Sequence, residues 1–373
     1  MYYHLYLTDS CNLACRYCRG KIFDVPDLPD DRVRIDETVP SEVTWKCEDL
    51  YGFLSLDKEA VLTFIGGEPT LRSDLIIKIM SEAPVRRYML QTNGLQLNLL
   101  PSEIVNRFET ILISIDGDQN TTDAGRGEGT YARVIKSINH ILAGGYKNEI
   151  IARMTVTEIT DIRRSVLFLS ENSDHSFSSI HWQIDANFWN DYSIRKNFKN
   201  WAQNSYIPGI KFLAYDWLEQ IKNTGKVPKW YPFIDPAEDL LMRRNIGLRC
   251  GSGFENFTIQ PDGRVIPCPI MIGMKDYYAG SITCSTPQTL KKYEIEGVCL
   301  SCDIRSFCGG RCLYSSILNP WPQDGRSLVC ETVRALFDSI KEIIPDIRRL
   351  ISEEKLTLEN FAHEKYNGCE IIP

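Results

Sequence analysis

Short apolar runs alternate with helix-periodic stretches along the first half of the chain. Tyr2 to Thr8 reads as a strand. Residues 24 to 40 are rich in Asp and Pro and predict an inserted loop, and Pro40-Ser41-Glu42 opens a helical pattern to about Leu56 with Ser41 as cap. Val61-Leu62-Thr63-Phe64-Ile65 is a second strand, ended by Gly66-Gly67-Glu68-Pro69, and a helix follows to about Ala83. Tyr88-Met89-Leu90-Gln91 is stopped by Thr92-Asn93-Gly94, and Thr110 to Ile115 by Asp116-Gly117. Tyr131 to Ala143 has helical periodicity, Ile150 to Val156 is a fifth strand, residues 161 to 172 a helix, and Ile180 to Ile184 a sixth strand.

Alternating strands and helices imply a parallel sheet. The polar and glycine-rich signals fall at carboxyl ends of strands, where barrel-type sheets build their sites. The expected fold class is α/β, a partial (β/α)6 TIM-type barrel over 1–187. An aromatic-rich, partly helical bridge over 188–247 follows, interrupted by Pro208, Pro228, Pro232 and Pro236. A cysteine-rich segment over 248–335 and a helical tail over 336–373 complete the chain, with a helix from about Cys330 to Ile343.

The chain has 373 residues, 43% apolar and 24% charged, ordinary values for a soluble globular protein. No long apolar stretch suggests a membrane span, and the start lacks a signal peptide, so a cytoplasmic protein with no membrane partner is expected. The net charge of −7 argues against bulk phosphate binding, hence against nucleic acid as a partner.

Thirteen cysteines change the picture. Three precede residue 19, then only Cys47 appears before Cys250, and nine lie from Cys250 to Cys369. Without an export signal, in a chain this long, metal sites explain the pattern better than disulfides. Cys11, Cys15 and Cys18 follow the first strand with C-x3-C-x2-C spacing, Tyr17 just before the last. A thiolate-bound four-iron cubane needs four ligands. Three leave one iron open to a ligand carrying both amine and carboxylate. For the spacing alone, a zinc knuckle lacking a ligand or a chance cluster is the alternative.

The loop resembles the signature of the radical S-adenosylmethionine (SAM) enzymes, and Tyr17 suits it. Gly66, Gly67, Glu68 and Pro69 resemble that family's GGEP element, whose backbone and acidic group meet the amine of SAM, glycine permitting close approach. Thr92 and Asn93 resemble its third-strand loop. Ser114 and Asp116 sit where the fourth strand meets ribose or carboxylate, and Arg153 resembles a carboxylate contact. The resemblance implies reductive SAM cleavage to methionine and a 5′-deoxyadenosyl radical that abstracts hydrogen, with the protein supplying orientation. On it, Cys11, Cys15 and Cys18 are the catalytic cluster ligands.

Farther on, Cys250 and Cys268 flank Pro261-Asp262-Gly263. "CLSCDIRSFCGGRC" then spaces Cys299, Cys302, Cys308 and Cys312 as C-x2-C-x5-C-x3-C, and Cys330 follows. This run resembles the SPASM extension of radical SAM enzymes, which implies two auxiliary clusters and three [4Fe-4S] clusters in all. Carried over by position, Cys250, Cys268 and Cys312 hold the first, with Cys284 as candidate fourth ligand. Cys299, Cys302, Cys308 and Cys330 hold the second. Taken alone, the run also suits zinc. Cys47 is expected to be an inert buried thiol. Cys369 is a surface thiol, a late ligand or a group reaching the substrate.

The resemblance implies a ribosomally made, Cys-containing peptide as substrate, joined by a thioether or carbon–carbon crosslink, with an external electron donor such as ferredoxin or flavodoxin. Formylglycine formation of the anaerobic sulfatase-maturing type is the alternative chemistry, with Asp262 as a candidate base, though its Pro-Asp-Gly turn favours a structural role. A zinc-rich interaction module is the non-catalytic alternative, and a small-molecule substrate stays open. Since the signature starts at Cys11, a leader peptide is expected to bind a partner, the bridge or the C-terminal part. Trp189, Trp201, Trp217 and Trp230 would line a peptide groove or, more commonly, pack.

Overall fold

The computed structural model describes residues 1–19, 33–188 and 192–369. Residues 24–32 of the expected inserted loop and Trp189 lie outside the described residues. Two compact units emerge. The first comprises Met1–Ile115, Thr122–Ile151 and Gly251–Glu294, and the second Asp116–Thr121, Ala152–Cys250 and Ile295–Pro373.

In the first unit, β1 (Tyr2–Tyr6), β2 (Val61–Ile65), β3 (Arg87–Thr92) and β4 (Phe108–Ser114) pair side by side in chain order, all parallel. All five residues of β2 are buried, as a strand covered on both faces requires. The helix Ser73–Glu82 buries Leu75, Ile76, Ile79 and Met80, one face of a 3.6-residue period. The strand β5 (Glu149–Val156) begins in the first unit and ends in the second, and β6 (Ser179–Ile184) pairs parallel with β7 (Lys229–Trp230) within the second. The fold is α/β with a mainly parallel sheet of the partial TIM-barrel kind.

The chain does not divide at the expected boundaries, and the reason is pairing. On the free side of β1 lies β8 (Asn256–Ile259), also parallel, which draws residues 251–294 into the first unit. A buried 2.7 Å hydrogen bond between His4 Nδ1 and Asn256 Oδ1 ties the two strands. Next come β9 (Arg264–Ile266) and β10 (Gly280–Ser281), each antiparallel to its neighbour. Asp262 occupies the β8–β9 turn. Its carboxylate accepts from Gln260 Nε2 at 3.0 Å, the Arg264 backbone N–H at 3.0 Å and Arg264 Nε at 2.6 Å, which is the structural role.

One expected helix starts late. The segment begins at Cys47 rather than near Ser41, because Thr8 and Glu42 form an antiparallel bridge, Asp9 N–H donates to the Ser41 carbonyl, and Thr44 N–H donates to Pro261. Cys47 is buried in that helix, as expected.

The second unit is built on the helix Gln323–Ser352, longer than the pattern around Cys330 predicts. It buries Leu328, Val333, Leu336, Ile340, Ile343 and Ile347 against the helices Ile207–Thr224 and Tyr231–Met242. The bridge is largely helical. Pro232 stands in a first turn, where a missing N–H costs little, Pro208 directly follows the π-helical stretch Ala202–Tyr206, and Pro236 falls inside a helix. Trp201, Trp217 and Trp230 are each at most 4% exposed, so packing is their role. Among the described residues no helix is long and apolar enough to cross a membrane.

Candidate active site

The cysteine loop leaves β1 and is fastened to the end of β2 by backbone. Gly67 N–H donates to the Thr8 carbonyl at 2.7 Å and Glu68 N–H to the Ser10 carbonyl at 2.8 Å. A Cβ at Gly66 would lie 2.6 Å from the Thr8 oxygen, and one at Gly67 2.4 Å from the Ser10 oxygen. The two glycines thus allow the GGEP turn to lie against the approach to the cysteines, a role the sequence does not suggest.

Glu68 is 1% exposed, and its carboxylate accepts from Thr70 N (3.0 Å), Thr70 Oγ1 (2.6 Å), Thr92 Oγ1 (2.7 Å) and Asn93 N (2.7 Å). Burial pushes its carboxyl above the ordinary value despite those four donors. The acidic group expected to meet an amine therefore also ties the β2 end to the β3 end. Pro69 opens a 3₁₀ turn just beyond it.

Asn93, held at its backbone by Glu68, directs its amide Nδ2 to Asn12 Oδ1 at 2.7 Å and Cys11 Sγ at 3.8 Å. Leu13 N–H also donates to Cys11 Sγ, at 3.4 Å. Burial raises the Cys11 thiol, as do the nearby Glu68 and Cys18, while the two donors favour the thiolate. Cys18 N–H closes a turn onto the Cys15 carbonyl at 3.1 Å, and Arg16 N–H donates to Gly125 at 3.0 Å. Tyr17 packs under the guanidinium of Arg126, 5.4 Å from the ring centre, with Arg126 itself buried. Cys11 and Cys18 are exposed and Cys15 is intermediate. Three thiols on one tight loop, with N–H donors aimed at Cys11, fit a cubane with one open iron.

The remaining predicted SAM contacts are dispersed between the two units. Ser114 ends β4 in the first. In the second, buried Asp116 accepts from Thr155 N–H at 2.9 Å, and Arg153 Nη2 donates to the Gly368 carbonyl at 3.4 Å. Cys369 is fully buried beside Gly368, its N–H on Asn367 Oδ1 at 2.9 Å, so the surface-thiol expectation does not hold. Of the first auxiliary set, Cys268 and Cys284 belong to the first unit, and Cys250 and Cys312 to the second.

Cys299, Cys302, Cys308 and Cys330 all lie in the second unit. Cys308 is within electrostatic reach of Cys299 and Cys330, and Cys302 of Cys299 and Cys330. Among the described residues no three His, Cys, Asp or Glu side chains gather around a single metal ion. A cubane takes one thiolate at each iron, and this quartet offers four.

Beside it, Arg249 is missing from the sequence-level candidates. Its guanidinium is bound by Asp235 and by Asp239 (2.7 Å), while Nε donates to the Phe307 carbonyl at 2.7 Å. His363 Nε2 and Lys365 Nζ complete the group on Asp235 at 3.1 and 2.8 Å. Arg249 thereby holds the residue before Cys250 against the residue before Cys308. Its signal in the sequence is faint, one arginine adjoining a cysteine.

The pattern of the Radical SAM superfamily matches residues 5–164. Mycofactocin maturase MftC of Mycobacterium ulcerans (strain Agy99) is 23% identical over 353 residues, covering 87% of this chain and 86% of its own. MftC of Mycolicibacterium smegmatis is 23% identical over 350 residues, covering 87% and 81%. Among solved structures, native anSMEcpe with bound AdoMet and Cp18Cys peptide superposes with a TM-score of 0.65 at 17% identity, over 94% of this chain and 99% of that one. That likeness speaks for the fold. Residues 5–164, which hold the cysteine loop, the GGEP turn and the strands β2 to β5, are thus similar to the radical SAM superfamily.

Proposed function

We propose that the protein is a radical SAM enzyme of SPASM type that modifies a Cys-containing peptide, forming a thioether or carbon–carbon crosslink. The observation that carries this reading is the extent of the likeness to MftC, 87% of the chain rather than the barrel alone, so that it takes in the cysteine-rich half. A cubane on Cys11, Cys15 and Cys18 would supply one electron to SAM. The protein's own part is to seat that cubane through the Gly66–Gly67 contact, orient Cys11 through Asn93, and exclude water from the strand ends. Glu68, Pro69, Thr92, Ser114, Asp116 and Arg153 remain the proposed SAM-contacting positions, with Glu68 acting through the strand end it pins.

Two auxiliary clusters are proposed. One lies on Cys250, Cys268 and Cys312 with Cys284 as fourth ligand, and one on Cys299, Cys302, Cys308 and Cys330. A cytoplasmic location and a ferredoxin- or flavodoxin-class donor complete the proposal.

Formylglycine formation is the second reading, favoured by the 0.65 TM-score to anSMEcpe. It requires a base, and Asp262 has both carboxylate oxygens engaged within its own turn.

The test is anaerobic reconstitution, followed by incubation with SAM, dithionite and a Cys-containing peptide encoded beside this gene. Deoxyadenosine with loss of two hydrogens from the peptide supports a crosslink, and an aldehyde product supports formylglycine. Cys15→Ala that still makes deoxyadenosine would overturn the site. A colourless protein that binds zinc and leaves SAM intact would overturn the enzyme reading altogether.

A further inference from the structure

The cysteine quartet of the second unit sits among cations in a chain that is acidic overall. Arg326, Cys330 and Arg334 are spaced four residues apart on the helix Gln323–Ser352, which puts them on one face with the cysteine in the middle. Arg334 Nη2 reaches Cys302 Sγ at 3.8 Å while its Nη1 is on Asp303 at 2.8 Å. Arg311 stands between Cys308 and Cys312 with φ +60°, an uncommon value for a side chain of this size. Its backbone N–H donates to the Cys308 carbonyl at 3.1 Å, and its buried Nε finds no acceptor among the described residues. A buried guanidinium nitrogen left without a partner is costly unless an anion completes its surroundings.

Arg311 lies within electrostatic reach of both Cys308 and Cys330, and Arg326 and Arg334 within reach of Cys330.

We propose that Arg311, Arg326 and Arg334 form a positive collar that stabilises the reduced state of an iron–sulfur cluster bound by Cys299, Cys302, Cys308 and Cys330. The proposal rests on that quartet being a cluster site. Reduction of a thiolate-bound cubane adds one electron and no proton, so it adds one full negative charge. Fixed cations nearby favour that state and raise the potential. Arg311, with its Nε buried, acts more strongly than the exposed Arg334. Arg334 shares its charge with Asp303, whose carboxylate opposes the effect.

The experiment is a dithionite titration followed by EPR, on anaerobically reconstituted chain carrying Cys11→Ala, Cys15→Ala and Cys18→Ala so that only auxiliary signals remain. Added Arg311→Gln is expected to shift one of the auxiliary signals to lower potential, Arg334→Gln to shift the same signal less, and Asp303→Asn to raise it. Arg311→Lys keeps the charge and stays near the parent. An unshifted potential in Arg311→Gln with iron content intact overturns the collar. So does loss of that cluster in both Arg311→Gln and Arg311→Lys, which marks a purely structural residue. Loss in Arg311→Gln alone supports it. If the parent chain shows no auxiliary cubane by Mössbauer spectroscopy and iron analysis, the quartet reading itself fails, a result separable from the others.

Discussion

The carboxylate of Glu68 holds the backbone N–H of Asn93 at 2.7 Å, and the amide of the same asparagine reaches Cys11 Sγ at 3.8 Å. Two strand ends and the cysteine loop are thereby joined through one buried acid. Truncating Glu68 would leave the Asn93 and Thr70 N–H groups without their acceptor, and each buried orphan costs about 1–3 kcal/mol. Glu68→Gln keeps the shape but turns an NH2 toward one of these donors. We expect it to lose about 1–3 kcal/mol in urea unfolding, and to lower deoxyadenosine formation because Asn93 loses its anchor. Unchanged unfolding and turnover would contradict the pin.

Gly67→Ala tests the backbone contact. The added methyl would fall 2.4 Å from the Ser10 carbonyl oxygen and 2.6 Å from that of Asp9, and neither atom belongs to a flexible side chain. The loop must retreat, and Cys11 retreats with it. A misplacement on the order of 1 Å at a reacting centre costs about 10²-fold in rate. We expect a loss of that order in deoxyadenosine formation, with fewer irons bound at the first site and the auxiliary irons retained. Gly52→Ala, where nothing lies within 4 Å, serves as the control.

Asn93→Ala separates orientation from binding. It removes the donor to Cys11 Sγ and to Asn12 Oδ1 but leaves the backbone N–H on Glu68. Deleting one hydrogen bond to a charged acceptor costs about 1.5–3 kcal/mol, so SAM cleavage should fall roughly 10- to 100-fold while the fold persists. The cluster potential should fall too, since donors to thiolate sulfur raise it. EPR titration of the first cluster reads the shift directly.

Much of this was legible in the residues. The strand β2 is a continuous apolar run closed by two glycines, and both its ends match the expected ones; the cysteine loop declares itself by spacing. What escaped is non-local or lacks a pattern. The parallel pairing of β8 with β1 joins residues some 250 positions apart, as His4 and Asn256 show, and no local periodicity encodes such a register. The helix Gln119–Arg126 reads QNTTDAGR, without an apolar stripe, yet its last turn supports the cysteine loop through Gly125 and Arg126. Ser41 has the chemistry of a cap, but the bridge between Thr8 and Glu42 claimed that stretch first. The glycines of the GGEP turn also meet the chain itself, at the carbonyls of Thr8 and Ser10, a contact no local pattern encodes.

The ion cluster around Asp235 gives the second unit a pH-dependent stability whose sign follows from its parts. Burial alone would raise Asp235, but Arg249, then His363 and Lys365, hold its carboxyl well below the usual carboxylate range. Its contribution is therefore fully present above about pH 4, the unfolded value, and is lost as pH falls through the folded one. For His363, burial works to lower the imidazole, while the hydrogen bond and charge of Asp235 outweigh it and raise the value above the ordinary one. That contribution is present below about pH 6.5 and fades as pH rises through the raised folded value. Asp235→Asn cancels both, so the stability gap to the parent should be widest between about pH 4 and 6.5 and narrow on either side. Removing one member of a buried ion pair costs about 3–5 kcal/mol, and Arg249→Leu, which leaves Asp235 and Asp239 to share Lys365, should show a loss toward the lower end of that span across the neutral range. Urea unfolding followed by the fluorescence of Trp217 and Trp230, both buried in this unit, measures each curve. A gap that is flat from pH 4 to 9 would remove His363 from the account, and a gap that does not narrow below pH 4 would remove Asp235.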